Sequence, residues 1–266
     1  MNFLHTFAPH PIAFSLGPIN IYWYGLIVVI GIVAGLILSG RLAKGSNIDE
    51  EAIYDLAFYL IIFGLVGARI YDCFLEAPYY LAHPGDIVKI WRGGLAIHGA
   101  IIAGAGTIYF YARKFKLDIV KLASVLVPGL ALGQAIGRWG NYFNQELFGQ
   151  PTGLPWGIYI NFMNRPGNWA NNQYFHPTFL YESLGCLLLS LVLIYLHKKL
   201  KTENKHLLIA STYFISYSII RFSLEFIRID YAPEFLGLRW PQFMSLGIIL
   251  ATAIYLWNIR KTLAKN

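Results

Sequence analysis

Two polar stripes set in apolar sequence hold the residues that could do chemistry. Gln134, Arg138, Asn141 and Gln145 recur at spacings of 4, 3 and 4. Tyr217, Arg221 and Glu225 recur at 4 and 4. Residues three or four apart share one face of a helix, which holds for the first stripe if the fourth helix continues through it. Each stripe therefore sets a guanidinium among hydrogen-bonding side chains, in surroundings that are otherwise hydrocarbon-like. Ionisable groups there are costly, so they need a partner, water or a function. The Arg221–Glu225 spacing allows an internal ion pair. It equally allows a carboxylate that holds the guanidinium ready for an anion, and the two are compatible.

The elements that must position these groups are membrane helices. Of the 266 residues, 56% are hydrophobic and 13% charged, where soluble proteins carry about 25% charged. Mean hydropathy is +0.50. A spanning helix needs roughly 20 apolar residues, and seven segments qualify. They lie near 18–40, 53–75, 94–112, 119–139, 177–197, 206–228 and 239–259. The expected fold is an all-α integral membrane protein, one polytopic domain over residues 1–266. Its longest connection, about 140–176, joins the fourth and fifth spans and carries the turn signals Pro151-Thr152-Gly153-Leu154-Pro155 and Asn164-Arg165-Pro166-Gly167-Asn168.

Loop charge sets orientation. Thirteen of the 21 Lys and Arg residues fall on one side of this topology, among them Arg41, Lys44, Arg113, Lys114, Lys121, Lys201 and Lys265. Six fall on the other, and Arg69 and Arg221 lie within helices. The richer side should be cytoplasmic, which puts the N-terminus and the long loop outside and the C-terminus inside. Arg69, Asp72, His98, Arg138, His176, Tyr181, Glu182, Tyr217, Arg221, Glu225 and Tyr24 then all lie towards the outer side. Only Asp55 lies near the inner one, as an interfacial residue. Such one-sidedness implies a water-accessible cavity open towards the outer leaflet. A transporter would gather its polar groups near the midplane on broken helices.

Other features bear on packing. Gly129, Gly133, Gly137 and Gly140 recur at 4, 4 and 3, and small residues so spaced let helices pack closely in lipid. Cys73 and Cys186 fall in apolar runs and read as small buried hydrophobes. Residues 1–17 contain no Lys or Arg, so a cleaved signal peptide is not expected. The net charge of +7 belongs to the loops and implies no nucleic-acid partner. No dense aspartate cluster suggests a catalytic metal or a CDP-alcohol type of phosphotransferase, and no Gly-x-Ser-x-Gly suggests a protease.

Residues 137–149 read Gly-Arg-Trp-Gly-Asn-Tyr-Phe-Asn-Gln-Glu-Leu-Phe-Gly. This run resembles the signature of bacterial prolipoprotein diacylglyceryl transferases, G-R-x-G-N-F-x-N-x-E-x-x-G, with Tyr142 where Phe is usual. Arg138, Asn141, Asn144, Glu146 and Gly149 all match. Trp23-Tyr24-Gly25 resembles the first-helix motif of that family, and Gly93 to Gly99, with His98, its Gly-Gly-x-x-x-His-Gly segment. His176-Pro177-Thr178 with Tyr181-Glu182, and the Tyr217, Arg221, Glu225 stripe, also match it. The resemblance implies an inner-membrane enzyme of seven helices, active at the periplasmic or outer face. It implies transfer of the diacylglyceryl group of phosphatidylglycerol to the lipobox cysteine thiol in the signal peptide of a preprolipoprotein, without a cofactor. A thioether forms and glycerol phosphate leaves.

That chemistry needs particular groups. The thiolate is the nucleophile, and a free thiol has a pKa near 8.5. The departing phosphate gains charge, which fixed cations stabilise. Arginine binds phosphate bidentately and stays ionised, so Arg138 and Arg221 are the candidates for that task. His98 is the candidate base, since imidazole titrates near neutrality; a structural histidine is the alternative. Tyr24, Asn141 and Glu146 would contact the headgroup or support the site. Asn144, Gly149, Tyr217, Glu225, His176 and Glu182 would support it. The nucleophile comes from the substrate, so neither cysteine of the chain is needed.

Overall fold

A computed structural model of the chain describes residues 3–200, 202 and 204–263. Lys201 and Lys265, two of the cytoplasmic charges expected above, lie outside the described residues. The elements in chain order are α1 (Phe3–Thr6), β1 (Ile12–Leu16), β2 (Ile19–Tyr22), α2 (Trp23–Lys44), α3 (Glu50–Leu75), α4 (Ala77–Ala82), α5 (Ile97–Lys114), α6 (Ile119–Asn144), β3 (Ile158–Tyr159), β4 (Tyr174–Phe175), α7 (Thr178–Lys199), α8 (Lys205–Leu224), β5 (Glu234–Phe235), β6 (Leu238–Arg239) and α9 (Trp240–Leu263). The strands form three antiparallel pairs, β1 with β2, β3 with β4 and β5 with β6.

Among the described residues, six helices are long and apolar enough to cross a membrane: α2, α3, α6, α7, α8 and residues 240–259 of α9. The expected third span folds as α5 and is not among them. Its 18 residues measure about 27 Å at 1.5 Å each, against roughly 30 Å of hydrocarbon. His98 in its first turn and Arg113 and Lys114 in its last dilute its apolar character.

The helix boundaries depart from expectation for local reasons. The first span begins at Trp23 because residues 12–22 turn back as a hairpin at Gly17, whose φ is +59°. The second starts earlier, where the Asp49 carboxylate accepts the Glu51 N–H and caps α3. The helix after Gly93 and Gly94 waits until Ile97, since their φ values of +91° and +73° are not helical. The fourth helix runs five residues further than expected, to Asn144. It ends where Gln145 turns left-handed at φ +51°. Gln145 therefore leaves the stripe of Arg138 and Asn141, which corrects the expectation that it shares their face.

The chain forms two compact units, residues 1–38 with 126–266, and residues 39–125. In the smaller unit α3 and α5 cross at glycines. A Cβ on Gly67 would lie 2.7 Å from the carbonyl oxygen of Gly99. In the larger unit a Cβ on Gly35 would lie 2.6 Å from Gly129 O, and one on Gly31 2.9 Å from Gly133 O. Gly140 is covered by the Tyr24 ring, 2.9 Å from where its Cβ would stand. Three of the four glycines of α6 thus serve close packing. Gly137 does not, because a Cβ there would meet open space.

The segment after α6 is not a bare loop. Tyr142, Phe148, Ile158, Ile160, Phe175 and Phe179 form a buried core of their own. A second core joins α6, α7 and α8 through Val127, Ala131, Leu189, Leu193, Ile209 and Tyr213. Cys186 is buried as expected, whereas Cys73 is only half-buried, and both are free thiols. The glycine contacts carry a test. Gly35→Val forces side-chain carbons into Gly129, an overpacking that costs about 1–3 kcal/mol and lowers the melting temperature in detergent. Gly137→Ala leaves it unchanged, and equal melting of the two variants would contradict this packing.

Candidate active site

Helix α7 opens with Thr178 and places Glu182 one turn later. Its carboxylate side chain is 3% exposed. Such a charge must be paired, and two helices supply the partners. Arg138 on α6 donates from Nη2 to Glu182 Oε1 at 2.7 Å. Arg221 on α8 donates from Nη1 to Glu182 Oε2 at 3.5 Å. Tyr217, one turn before Arg221, donates to Oε1 at 3.3 Å. The two arginines sit 83 positions apart in sequence, and one carboxylate brings them together. Both remain partly accessible, their side chains 23% and 17% exposed.

The network extends on both flanks. On one, Arg138 Nη1 donates to Asn141 Oδ1 at 3.4 Å, and Asn141 Nδ2 donates to Glu146 Oε1 at 2.8 Å. Asn144 Nδ2 reaches the same oxygen at 3.4 Å. Glu146 folds back because the chain turns left-handed at Gln145 and again at Leu147, φ +55°. Bulky residues rarely adopt that conformation. Two bonds hold it: the Glu146 N–H to Asn141 O at 3.0 Å, and the Thr178 hydroxyl to Leu147 O. Gln145 turns away to hold Pro9 O at 3.0 Å and the Asn161 N–H at 2.6 Å.

On the other flank, Glu225 accepts from Arg221 Nη2 at 3.1 Å and pairs with Arg239 Nη1 at 3.1 Å. Arg228 Nε lies 3.9 Å from Glu225 and donates to Asp230 Oδ1 at 2.7 Å. Arg228, Asp230 and Arg239 are the functional candidates that sequence reading missed. Arg228 carried a local signal, three residues after Glu225. Arg239 carried none, because the β5–β6 hairpin returns it to the end of α8.

The remaining expected residues fall as follows. Gly149 passes between two chain segments: its N–H donates to His176 O at 2.9 Å, and Gln150 donates to Ile227 O at 2.8 Å. A Cβ on Gly149 would meet Ile227 O at 2.8 Å and the His176 Cβ at 2.9 Å. His176 Nδ1 lies 3.2 Å from the Tyr181 hydroxyl, which also accepts from Trp156 Nε1 at 2.9 Å. His176 thus pairs with Tyr181. Tyr24 is exposed and lies over Gly140.

His98 belongs to the smaller unit. Its exposed ring packs 5.9 Å from Tyr71 in the first turn of α5. Arg69 organises the approach to that turn. Its guanidinium donates to the carbonyls of Asp86, Ile87, Gly93 and Gly94 at 2.5 to 2.8 Å. It also pairs with Asp72 at 3.7 Å and lies over the Tyr80 ring. The Tyr80 hydroxyl donates to Asp72 at 2.8 Å, and that bond raises its pKa above the usual phenol value. Arg69 therefore meets its need for partners inside the fold.

Chemically, two guanidiniums on facing helices, joined by one carboxylate and partly open, suit an anion with several oxygens. A family model described as prolipoprotein diacylglyceryl transferase matches residues 11–258. The chain is 41% identical to a phosphatidylglycerol–prolipoprotein diacylglyceryl transferase of Synechococcus elongatus, over 96% of this chain and 90% of that one. It is 39% identical to the protein of that name from Parasynechococcus marenigrum, covering 96% and 95%, and 41% identical to that from Finegoldia magna, covering 96% and 98%.

The pairing itself can be tested. Glu182→Leu alone leaves two half-buried guanidiniums short of a partner and lowers stability, by less than the roughly 3–5 kcal/mol of a fully buried pair. Glu182→Leu with Arg138→Met removes both ends of the shortest pair and recovers part of that loss in a denaturation series. A double variant less stable than the single one would contradict the pairing.

Proposed function

The chain belongs to the prolipoprotein diacylglyceryl transferase family, and from that premise we propose that it moves the diacylglyceryl group of phosphatidylglycerol onto the lipobox cysteine of a preprolipoprotein. This is the first step of lipoprotein maturation. The observation that carries the reading is the pairing of Arg138 and Arg221 across Glu182.

The bonds balance as follows. The cysteine sulfur attacks the glyceryl carbon that bears the phosphate ester. A C–S bond forms, the C–O bond breaks, and its electron pair leaves with glycerol phosphate. The thiol proton passes to a base. The phosphate starts as a monoanionic diester and leaves as a monoester with one more negative charge. Arg138 and Arg221 hold the phosphate oxygens and stabilise that growing charge, in surroundings where water screens little. Glu182 keeps the two guanidiniums together before the lipid arrives, so less ordering is needed when it binds.

The other roles follow from contacts and chemistry. Asn141 and Glu146 steady Arg138 and meet the headgroup beside it, and Tyr24 lies by the same stretch of α6. Asn144 and Gly149 support the turn that carries Glu146. Tyr217 and Glu225 support Arg221, and His176 supports the start of α7 through Tyr181. His98 takes the thiol proton. Its assignment rests on the Gly93–Gly99 motif and on imidazole chemistry.

The membrane setting is proposed with it. Helix α5 is the third span in chain order and brings the total to seven, accommodated by local thinning or by its flanking Arg113 and Lys114 reaching into the interface. The N-terminus and the segment after α6 face the periplasmic side, where the reaction takes place, and the C-terminus faces the cytoplasm. The positive-inside balance supports this orientation. The bilayer is the inner membrane, and it supplies the phosphatidylglycerol.

The deciding experiment incubates the purified protein with phosphatidylglycerol and a lipobox peptide, then weighs the peptide. A gain of one diacylglyceryl unit is expected, and no gain from well-folded protein would sink the reading. Arg138→Ala and Arg221→Ala are each expected to lose at least about a hundredfold in rate while staying folded in the membrane. Full activity in either removes that residue from the phosphate role. His98→Gln should slow transfer and flatten its rise with pH, and an unchanged pH profile would argue against a base there. Cys73→Ala with Cys186→Ala should transfer normally, since the nucleophile is the substrate's.

A further inference from the structure

We propose that Arg239 is a positioning residue, which occupies Glu225 and thereby leaves Arg221 available to the lipid phosphate. The proposal rests on the phosphate role assigned to Arg221 above.

The geometry is a division of one carboxylate. Glu225 has a side chain only 1% exposed and faces three guanidiniums. Its Oε1 takes Arg239 at 3.1 Å, and its Oε2 takes Arg221 at 3.1 Å with Arg228 further off at 3.9 Å. Arg221 in turn stands between two carboxylates, Glu182 and Glu225. A guanidinium claimed by two full negative charges has little attraction left for a third anion. Each cation added to the far side of Glu225 weakens that claim.

Arg239 is held in place to do this. Its backbone N–H donates to the buried Gln242 side chain at 2.9 Å. Its guanidinium also donates to the carbonyls of Glu225 at 3.3 Å, Arg228 at 3.1 Å and Asp230. It arrives from the β5–β6 hairpin, whose turn places Leu236 and Gly237 at φ +47° and +73°. Among the described residues, the direct ion pairs of the cluster hold four arginines, 138, 221, 228 and 239, against three carboxylates, 182, 225 and 230, with Glu146 one step removed behind Asn141. The directly paired groups are one positive charge in excess, and that excess vanishes without Arg239. Binding of the anionic lipid and of its more charged product would then compete with Glu225 on less favourable terms. The phosphate already carries a full negative charge when the lipid binds and gains more as the ester breaks, so the loss appears in KM and, to a smaller extent, in kcat.

The carbonyl bonds offer a rival role, in which Arg239 only ties residues 225–230 together. The two roles separate in a double variant. Steady-state transfer is measured with the full-length protein, varying phosphatidylglycerol at fixed lipobox peptide. Arg239→Gln is expected to raise KM for the lipid about tenfold, with a smaller fall in kcat. Arg239→Lys keeps the charge but loses the planar fork, so its KM should stay near that of the unaltered protein. Arg239→Gln combined with Glu225→Gln removes the competing carboxylate and should bring KM back towards the starting value. A tie that is only structural would make that double variant worse than the single one. The proposal is overturned if Arg239→Gln leaves KM unchanged, if Arg239→Lys raises it as much, or if the second change fails to lower it. Should Arg239→Gln not fold, a raised KM in Arg239→Lys overturns the proposal by itself. Inactivity of the unaltered protein, or full activity of Arg221→Gln, would instead strike at the reading on which it rests.

Discussion

A carboxylate shut away from water between two guanidiniums is the interaction on which this molecule turns. Glu182 is 2% exposed, and a lone ion so placed would be neutralised or expelled. The fold answers with Arg138 from α6 and Arg221 from α8, and Tyr217 adds a hydroxyl. Pairing of this kind is weak evidence for stability, since well-packed apolar groups could do as well. Its value lies in geometry, because it fixes two cations at a common place. They remain accessible enough for an anion to reach.

Small residues and sharp turns bring those helices within reach. Gly31 and Gly35 on α2 lie against Gly133 and Gly129 on α6, which lets backbone meet backbone where no hydrophobic force separates helix from lipid. Ser183 and Ser190 on α7 donate to the carbonyls of Ala135 and Pro128 on α6, at 2.7 and 2.8 Å. Beyond α6 the left-handed pair Gln145 and Leu147 returns Glu146 to Asn141. Backbone strain of that kind persists only where the surroundings over-determine it. Gly149, wedged between His176 and Ile227, is one of the contacts that do so. The signature run thus works as one mechanical piece: it ends a helix, reverses the chain and braces Arg138.

Much of this was legible in the residues themselves. Apolar runs marked every long helix, because hydrocarbon leaves the backbone few alternatives. The spacing of Tyr217, Arg221 and Glu225 marked their shared face, since i,i+4 contacts are set by helix geometry alone. What stayed hidden depends on contacts distant in sequence. Arg239 joins Glu225 only after a hairpin, and no local pattern announces that meeting. Gln145 looked like a fourth member of the α6 face, and a left-handed turn at that very residue moved it elsewhere. Arg69 looked like an intramembrane charge in search of a role. Four carbonyls of the segment 86–94 already satisfy it. The β1–β2 hairpin was missed because its second strand, Ile19–Tyr22, runs without a break into the apolar helix that follows.

The most direct measurement asks where the phosphate sits. Phosphorus–nitrogen dipolar coupling can be recorded by solid-state NMR on protein carrying 15N-labelled arginine, reconstituted with phosphatidylglycerol. Close contact of the headgroup with Arg138 and Arg221 should give strong dephasing of guanidinium signals that is lost when both are replaced by Gln. Dephasing that persists undiminished in that double variant would place the phosphate elsewhere and contradict the paired-arginine site.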